Sequence, residues 1–119
     1  MRDASADLWL RLEGESPDGA VAVALAGDDV VGRATLTRLY GARAELVLDS
    51  PGGDGVNERL LEALEGAAGE HNLRRLELDV GTAPPDFVAA VRRTRLTREE
   101  HRGEQVRLTW PTTTTRKTP

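Results

Sequence analysis

The stretch SPGGDGVNERLLEAL, Ser50 to Leu64, sets three glycines directly in front of a helical pattern. Val56, Leu60, Leu61, Leu64, Ala67 and Ala68 recur at helical spacing and form one apolar stripe. Glu58, Arg59, Glu62, Glu65 and Glu70 take the other faces, so the pattern predicts a helix running to about His71. Asn72 suits the position just past its end, because Asn tolerates the left-handed backbone that closes helices. The glycines allow two readings. Backbone N–H groups of a small-residue loop at a helix start can cradle a phosphate. Alternatively the loop is a tight turn, with Asp54 capping the helix through its carboxylate.

Working outward, the chain before this stretch reads as four strands. DLWLRLEG (7–14) alternates with period two. After the turn residues ESPDG, AVAVALA (20–26) is apolar on both faces, as in a covered strand. GDD (27–29) turns the chain into VVGRATLTRLY (30–40), and GARAELVLD (41–49) follows. Beyond the helix, LRRLELDV (73–80) reads as a fifth strand, a parallel neighbour of the fourth across a crossover. GTAPP breaks the chain before a second helix, DFVAAVRRT, whose start tolerates proline. LTREEHRGE has no clear period, and QVRLTW (105–110) alternates as a last strand. The expectation is an α/β chain of order β-β-β-β-α-β-α-β, a mixed sheet with helices packed on it. Residues 1–110 form a single domain in this reading, and PTTTTRKTP (111–119) is a disordered tail.

Composition narrows the chemistry. The 119 residues contain no cysteine, which removes disulfides, thiolate metal sites and a cysteine nucleophile. With one Phe, one Tyr and one Met, the core must be aliphatic. The formal charge of −4 argues against a nucleic-acid partner, and no apolar run is long enough for a membrane span. A cysteine-free chain without a signal-like start reads as cytoplasmic. His71 and His101 stand apart, and no spacing of His, Asp and Glu suggests a metal. Trp9 and Trp110, in the terminal strands, read either as anchors of an oligomer contact or as core closure.

Three stretches resemble the GNAT superfamily of acyl-coenzyme A-dependent N-acyltransferases. VAVALAGDDVVGRATLTRL is similar to the family's second and third strands. ARAELVLD is similar to its fourth, and GVNERLLEALEGAAGEHNLRRLELDV to the helix and fifth strand after its pyrophosphate loop. Together they cover about residues 20–80. The resemblance implies a GNAT-like mixed sheet with a shortened N-terminal region, since only ESPDG separates the first two strands where the family has helices shaping an acceptor site. It implies acetyl-coenzyme A as cosubstrate, held by Gly53, Asp54, Gly55, Val56 and Asn57, and an amine or protein acceptor. It also implies that Glu45, in the Ala-Glu-Leu of the fourth strand, is the general base. A purely structural role for Glu45 would have it face solvent or pair with an arginine such as Arg43 or Arg33. The family loop is Arg/Gln-x-x-Gly-x-Gly/Ala; here Gly52 stands for Arg or Gln, and Asn57 for Gly or Ala. The tyrosine acid of many relatives has no counterpart in DFVAAVRRT, and the chain's one tyrosine is Tyr40. These departures support a second reading: a non-catalytic GNAT-like domain that binds a protein or forms a homodimer through its edge strands.

Overall fold

A computed structural model describes residues 8–50 and 52–112, leaving aside the Asp54 side chain. Four antiparallel strands come first: β1 (Leu8–Ser16), β2 (Gly19–Ala26), β3 (Asp29–Arg38) and β4 (Arg43–Ser50). Helix α1 (Asp54–Glu70), strand β5 (Arg75–Asp79) and helix α2 (Pro85–Thr94) follow, and the hairpin β6 (Arg98–Arg102) and β7 (Gln105–Pro111) closes the sequence of elements. The seven strands make one sheet in the order β1-β2-β3-β4-β5-β7-β6, with β4 and β5 parallel.

Strand alternation sends Ala22, Ala24, Ala34, Leu36, Ala44, Leu46, Leu76, Leu78, Leu108 and Trp110 to the face that α1 and α2 cover. Leu60, Leu61 and Leu64 of α1 and Phe87, Val88 and Val91 of α2 join them in one cluster. The small alanines of β2 and β3 let α1 approach the sheet closely. Gly32 shows how closely: a Cβ there would lie 2.8 Å from a methyl of Val56 and 3.1 Å from one of Leu60.

Helix α1 ends as the sequence predicts. Asn72 has φ 62°. Its N–H donates to the Gly69 carbonyl, and that of Leu73 to the Ala68 carbonyl, the paired bonds of a Schellman close. Leu73 is buried beneath this turn.

Three expectations need correction. Arg98–Arg102, within the stretch without a clear period, is an edge strand paired to β7 from Arg98↔Thr109 to Arg102↔Gln105. Pro111 pairs with Arg75, and Thr112 donates its N–H to the Arg74 carbonyl, so the chain follows β5 past 110. The remaining tail, 113–119, and Asp7 of the first strand lie outside the described residues. Third, Asp54 is the first residue of α1 rather than its cap: Gly53, which has no side chain to cap with, holds the cap position.

Candidate functional site

The parallel pair β4–β5 is short. Arg43↔Arg75, Ala44↔Leu76 and Glu45↔Glu77 are in register, and there the pairing stops. Beyond Glu77, β5 stays with β7 as far as Asp79↔Arg107, while β4 continues beside β3. The two strands therefore splay from Glu45 onward. A cleft of about 80 Å³ opens between them, lined by Glu45 to Leu48 of β4 and by Leu78, Asp79, Thr82 and Ala83. Glu45 stands at its apex.

At the far end of β4 lies the glycine loop. Its glycines differ in what holds them. A Cβ on Gly52 would sit 2.6 Å from the Val31 carbonyl oxygen and 2.6 Å from Val56, so packing alone demands glycine there. The side chain of Asn57 fixes the same residue: the Gly52 N–H donates to Asn57 Oδ1 at 2.8 Å, and Asn57 Nδ2 donates to the Gly52 carbonyl at 3.3 Å. Asn57 is thus a clamp within the protein, and its side chain occupies the Gly52 N–H.

Gly53 and Gly55 are another case. Neither has positive φ, and a Cβ on either would meet nothing within 4 Å. Gly55 inside the first helical turn costs roughly 1 kcal/mol relative to alanine, with no fold requirement to offset it. The cap residue of helix α1, Gly53, offers its first N–H groups no side-chain acceptor. Open space at Gly53 and Gly55 leaves an approach to a helix N-terminus. A second cleft, of about 560 Å³, runs from here between the start of α1 and the side of α2, past Gly55, Asn57, Ala90, Arg93 and Thr94.

Glu45 is half-buried and pairs with Arg107, Oε2 to NH1 at 3.2 Å, not with Arg43 or Arg33. Arg107 in turn donates from Nε and NH2 to Oε1 of Glu77 at 3.2 and 3.0 Å. Glu77 is fully buried. Its Oε2 lies 2.6 Å from Arg43 Nε, a charge pair whose atoms are off the hydrogen-bond axis. Arg43 and Arg102 then reach Glu100 at 3.3 and 3.1 Å. A strip of alternating charge thus crosses β4, β5, β7 and β6 on the face away from the core. Burial works against the Arg43 charge, and Glu77 and Glu100 outweigh it, so the guanidinium pKa is raised. Burial likewise pushes the Glu100 carboxyl up, but Arg43 and Arg102 prevail and hold it below the usual range.

Glu77 and Arg107 escape the sequence reading. The one available signal is a glutamate centred in LRRLELDV, which tells nothing of a partner 30 positions away. Tyr40 is exposed near the opposite end of β4, with Arg43 over its ring at 6.0 Å, and does not line the cleft. Among the described residues, no three His, Asp or Glu side chains gather as metal ligands.

A seven-stranded mixed sheet whose central parallel pair splays beside a glycine-led helix has clear counterparts among solved structures. A candidate acyl-CoA N-acyltransferase of Klebsiella pneumoniae superposes with a TM-score of 0.66, covering 81% of this chain and 74% of that one at 20% identity. The chain has the GNAT fold. The GNAT domain of S. lividans PAT gives 0.64 at 21% identity, with 79% of this chain and 61% of that one covered. A Bacillus subtilis acetyltransferase, solved in complex with CoA, gives 0.64 at 13% identity over 87% and 98%. No family model and no curated protein matches the chain. Against the GNAT frame, β1 and β2 join directly through a tight turn, with Ser16 opposite Gly19. No helix of the described residues is long and apolar enough to cross a membrane.

Proposed function

We propose that this chain is a divergent GNAT-superfamily N-acyltransferase that takes its acyl group from acetyl-coenzyme A and passes it to an amine. The observation that carries this reading is the pair Gly53 and Gly55, glycines that the fold does not require, at a helix start capped by a residue without a side chain, where the β4–β5 cleft opens. The backbone N–H groups of Asp54, Gly55 and Val56 would bind the pyrophosphate, helped by the helix dipole. From Glu45 to Ser50 the strand spans about 17 Å at ordinary strand rise, a length suited to an extended pantetheine arm. Beyond Glu45, the side of β4 facing β5 is unpaired with it, so its backbone groups are open to that arm's amides.

The coenzyme's thioester supplies an activated acyl group. What remains for the protein is to hold the amine neutral at the apex of the cleft. Glu45 accepts the amine's proton, directly or through water, while Arg107 fixes its carboxylate in orientation. A leaving thiolate is a mild base, of pKa near 8.5 for a simple thiol, which fits a site without a tyrosine acid. Glu45→Gln is expected to lower kcat for acetyl transfer to a polyamine or peptide amine by about 10²–10⁴-fold, with coenzyme affinity kept. Unchanged kcat would remove Glu45 from the chemistry.

One observation favours the second reading, a protein-binding or self-pairing module. Trp9 is 67% exposed on edge strand β1, and Val30 is 57% exposed two strands away on β3, across Leu25 of β2. Trp110, by contrast, is fully buried, so only one tryptophan is left to serve as an anchor. In this reading a second copy pairs along β1. Sedimentation equilibrium is expected to give a dimer that Trp9→Ser weakens; a parent chain monomeric at about 100 µM, where even weak specific contacts register, argues against it.

A further inference from the structure

The chain carries −4 overall, yet it gathers arginines at one place. An open cleft of about 500 Å³ lies where β6 begins, beside the first residue of β5 and the last of β7. Arg75, Arg92, Arg95 and Arg98 line it with Leu96, Thr97 and Pro111, and no acidic residue does. Two of the four are already neutralised. Arg92 pairs with Glu99, and Arg95 is locked between Glu58 and Glu65 of α1 at 2.7 and 2.6 Å. Burial disfavours the Arg95 charge, but its bonds to Glu65 and Glu58 dominate and raise its pKa. Among the described residues the other two have no ion pair: the one side-chain bond of Arg75 there is to the Thr109 hydroxyl, at 3.4 Å, and Arg98 has none.

Unpaired cations usually spread over a solvated surface. Here Arg75 is half-buried and shares a concavity with Arg98, while Arg95 is held rigid behind them. Two guanidiniums offer planar forks that match the oxygens of a phosphate. The cleft is also set apart from the acyl-transfer site. Arg75 begins β5 and Asp79, which lines the β4–β5 cleft, ends it, so the two sites lie about 13 Å apart along the strand.

We infer that this cleft is a second anion site, which binds the phosphate monoester group of a small phosphorylated molecule through Arg75 and Arg98. Its volume falls within the range of small-ligand pockets. The inference stands apart from the acyltransferase reading and survives if coenzyme A does not bind.

The test follows arginine Nε–Hε and backbone amide signals of the full chain by NMR during titration with glycerol phosphate, with sulfate and chloride as controls. Saturable shifts of the Arg75 and Arg98 side chains are expected, with glycerol phosphate at least about fivefold tighter than sulfate. Arg98→Glu, at an exposed position that the fold tolerates, is expected to weaken binding about tenfold or more, as loss of a charge-assisted bond implies. Arg75→Gln is expected to do the same. Shifts that never saturate, that sulfate matches, or that fall on Gly53 and Gly55 instead would overturn the site.

Discussion

Gly55→Glu is expected to weaken coenzyme A binding by about tenfold or more while the protein keeps its fold. The two halves of this outcome have separate causes. Nothing lies within 4 Å of a Cβ at Gly55, and its backbone is helical, so the fold accommodates a side chain there without a backbone shift. Replacing a helical glycine also removes a local penalty of roughly 0.5–1 kcal/mol, so the melting temperature is expected to hold or rise slightly. The carboxylate, however, would stand where the pyrophosphate approaches. Repulsion between unit charges about 4 Å apart is of order 4 kcal/mol near a protein surface, and salt reduces it. Gly55→Ala is the graded control, with the same gain in stability and a smaller loss of affinity. If both variants bind the coenzyme as the parent does, the loop is a turn and nothing more.

Glu77→Leu is expected to cost about 3–5 kcal/mol of stability, the usual effect of breaking a buried ion pair from one side. Glu77 is fully buried and meets Arg107, Arg43 and, at 3.6 Å, Arg102. Arg107 is itself only 8% exposed and would be left with Glu45 alone. A fall in melting temperature of more than about 10 °C follows from the usual relation for small domains. Adding Arg107→Leu is expected to recover part of the loss, because the two residues share one interaction. A Glu77→Leu protein melting within a few degrees of the parent would show that the strip contributes little. The strip bears on function as well, since Arg107 is the bridge between buried Glu77 and the proposed base Glu45.

The same residues show what was legible in the chain. Period-two and helical patterns are local, so the four leading strands, α1 and α2 could be read from neighbours a few positions apart. The close of α1 at Asn72 was equally local, a matter of one residue's tolerance for positive φ. Strand β6 was not legible. Its sequence REEHR has no apolar residue, and what holds it is the ladder to β7 together with ion pairs such as Arg102 with Glu100. The partner of Glu45 was equally hidden. Arg33 and Arg43 are near in sequence, but the strand order interposes β5 and brings Arg107 across it. Asp54 suits an N-cap by residue type, yet the chain enters α1 one residue earlier, through Gly53 in extended conformation. That single step puts a residue without a side chain at the cap position. It turned the glycine stretch from an ambiguous motif into a candidate site, because Gly52 proved to be required by packing while Gly53 and Gly55 did not.

Amide mapping shows whether the start of α1 receives the pyrophosphate of a coenzyme, as proposed. An ¹⁵N-labelled chain is titrated with acetyl-coenzyme A while backbone signals are followed. Saturable shifts are expected at Gly53, Asp54, Gly55 and Val56 together with Leu46 to Leu48 of the cleft wall. Gly52 should move less, its N–H being held by Asn57. Signals that stay still up to millimolar coenzyme, or that shift only around Arg75 and Arg98, would contradict it.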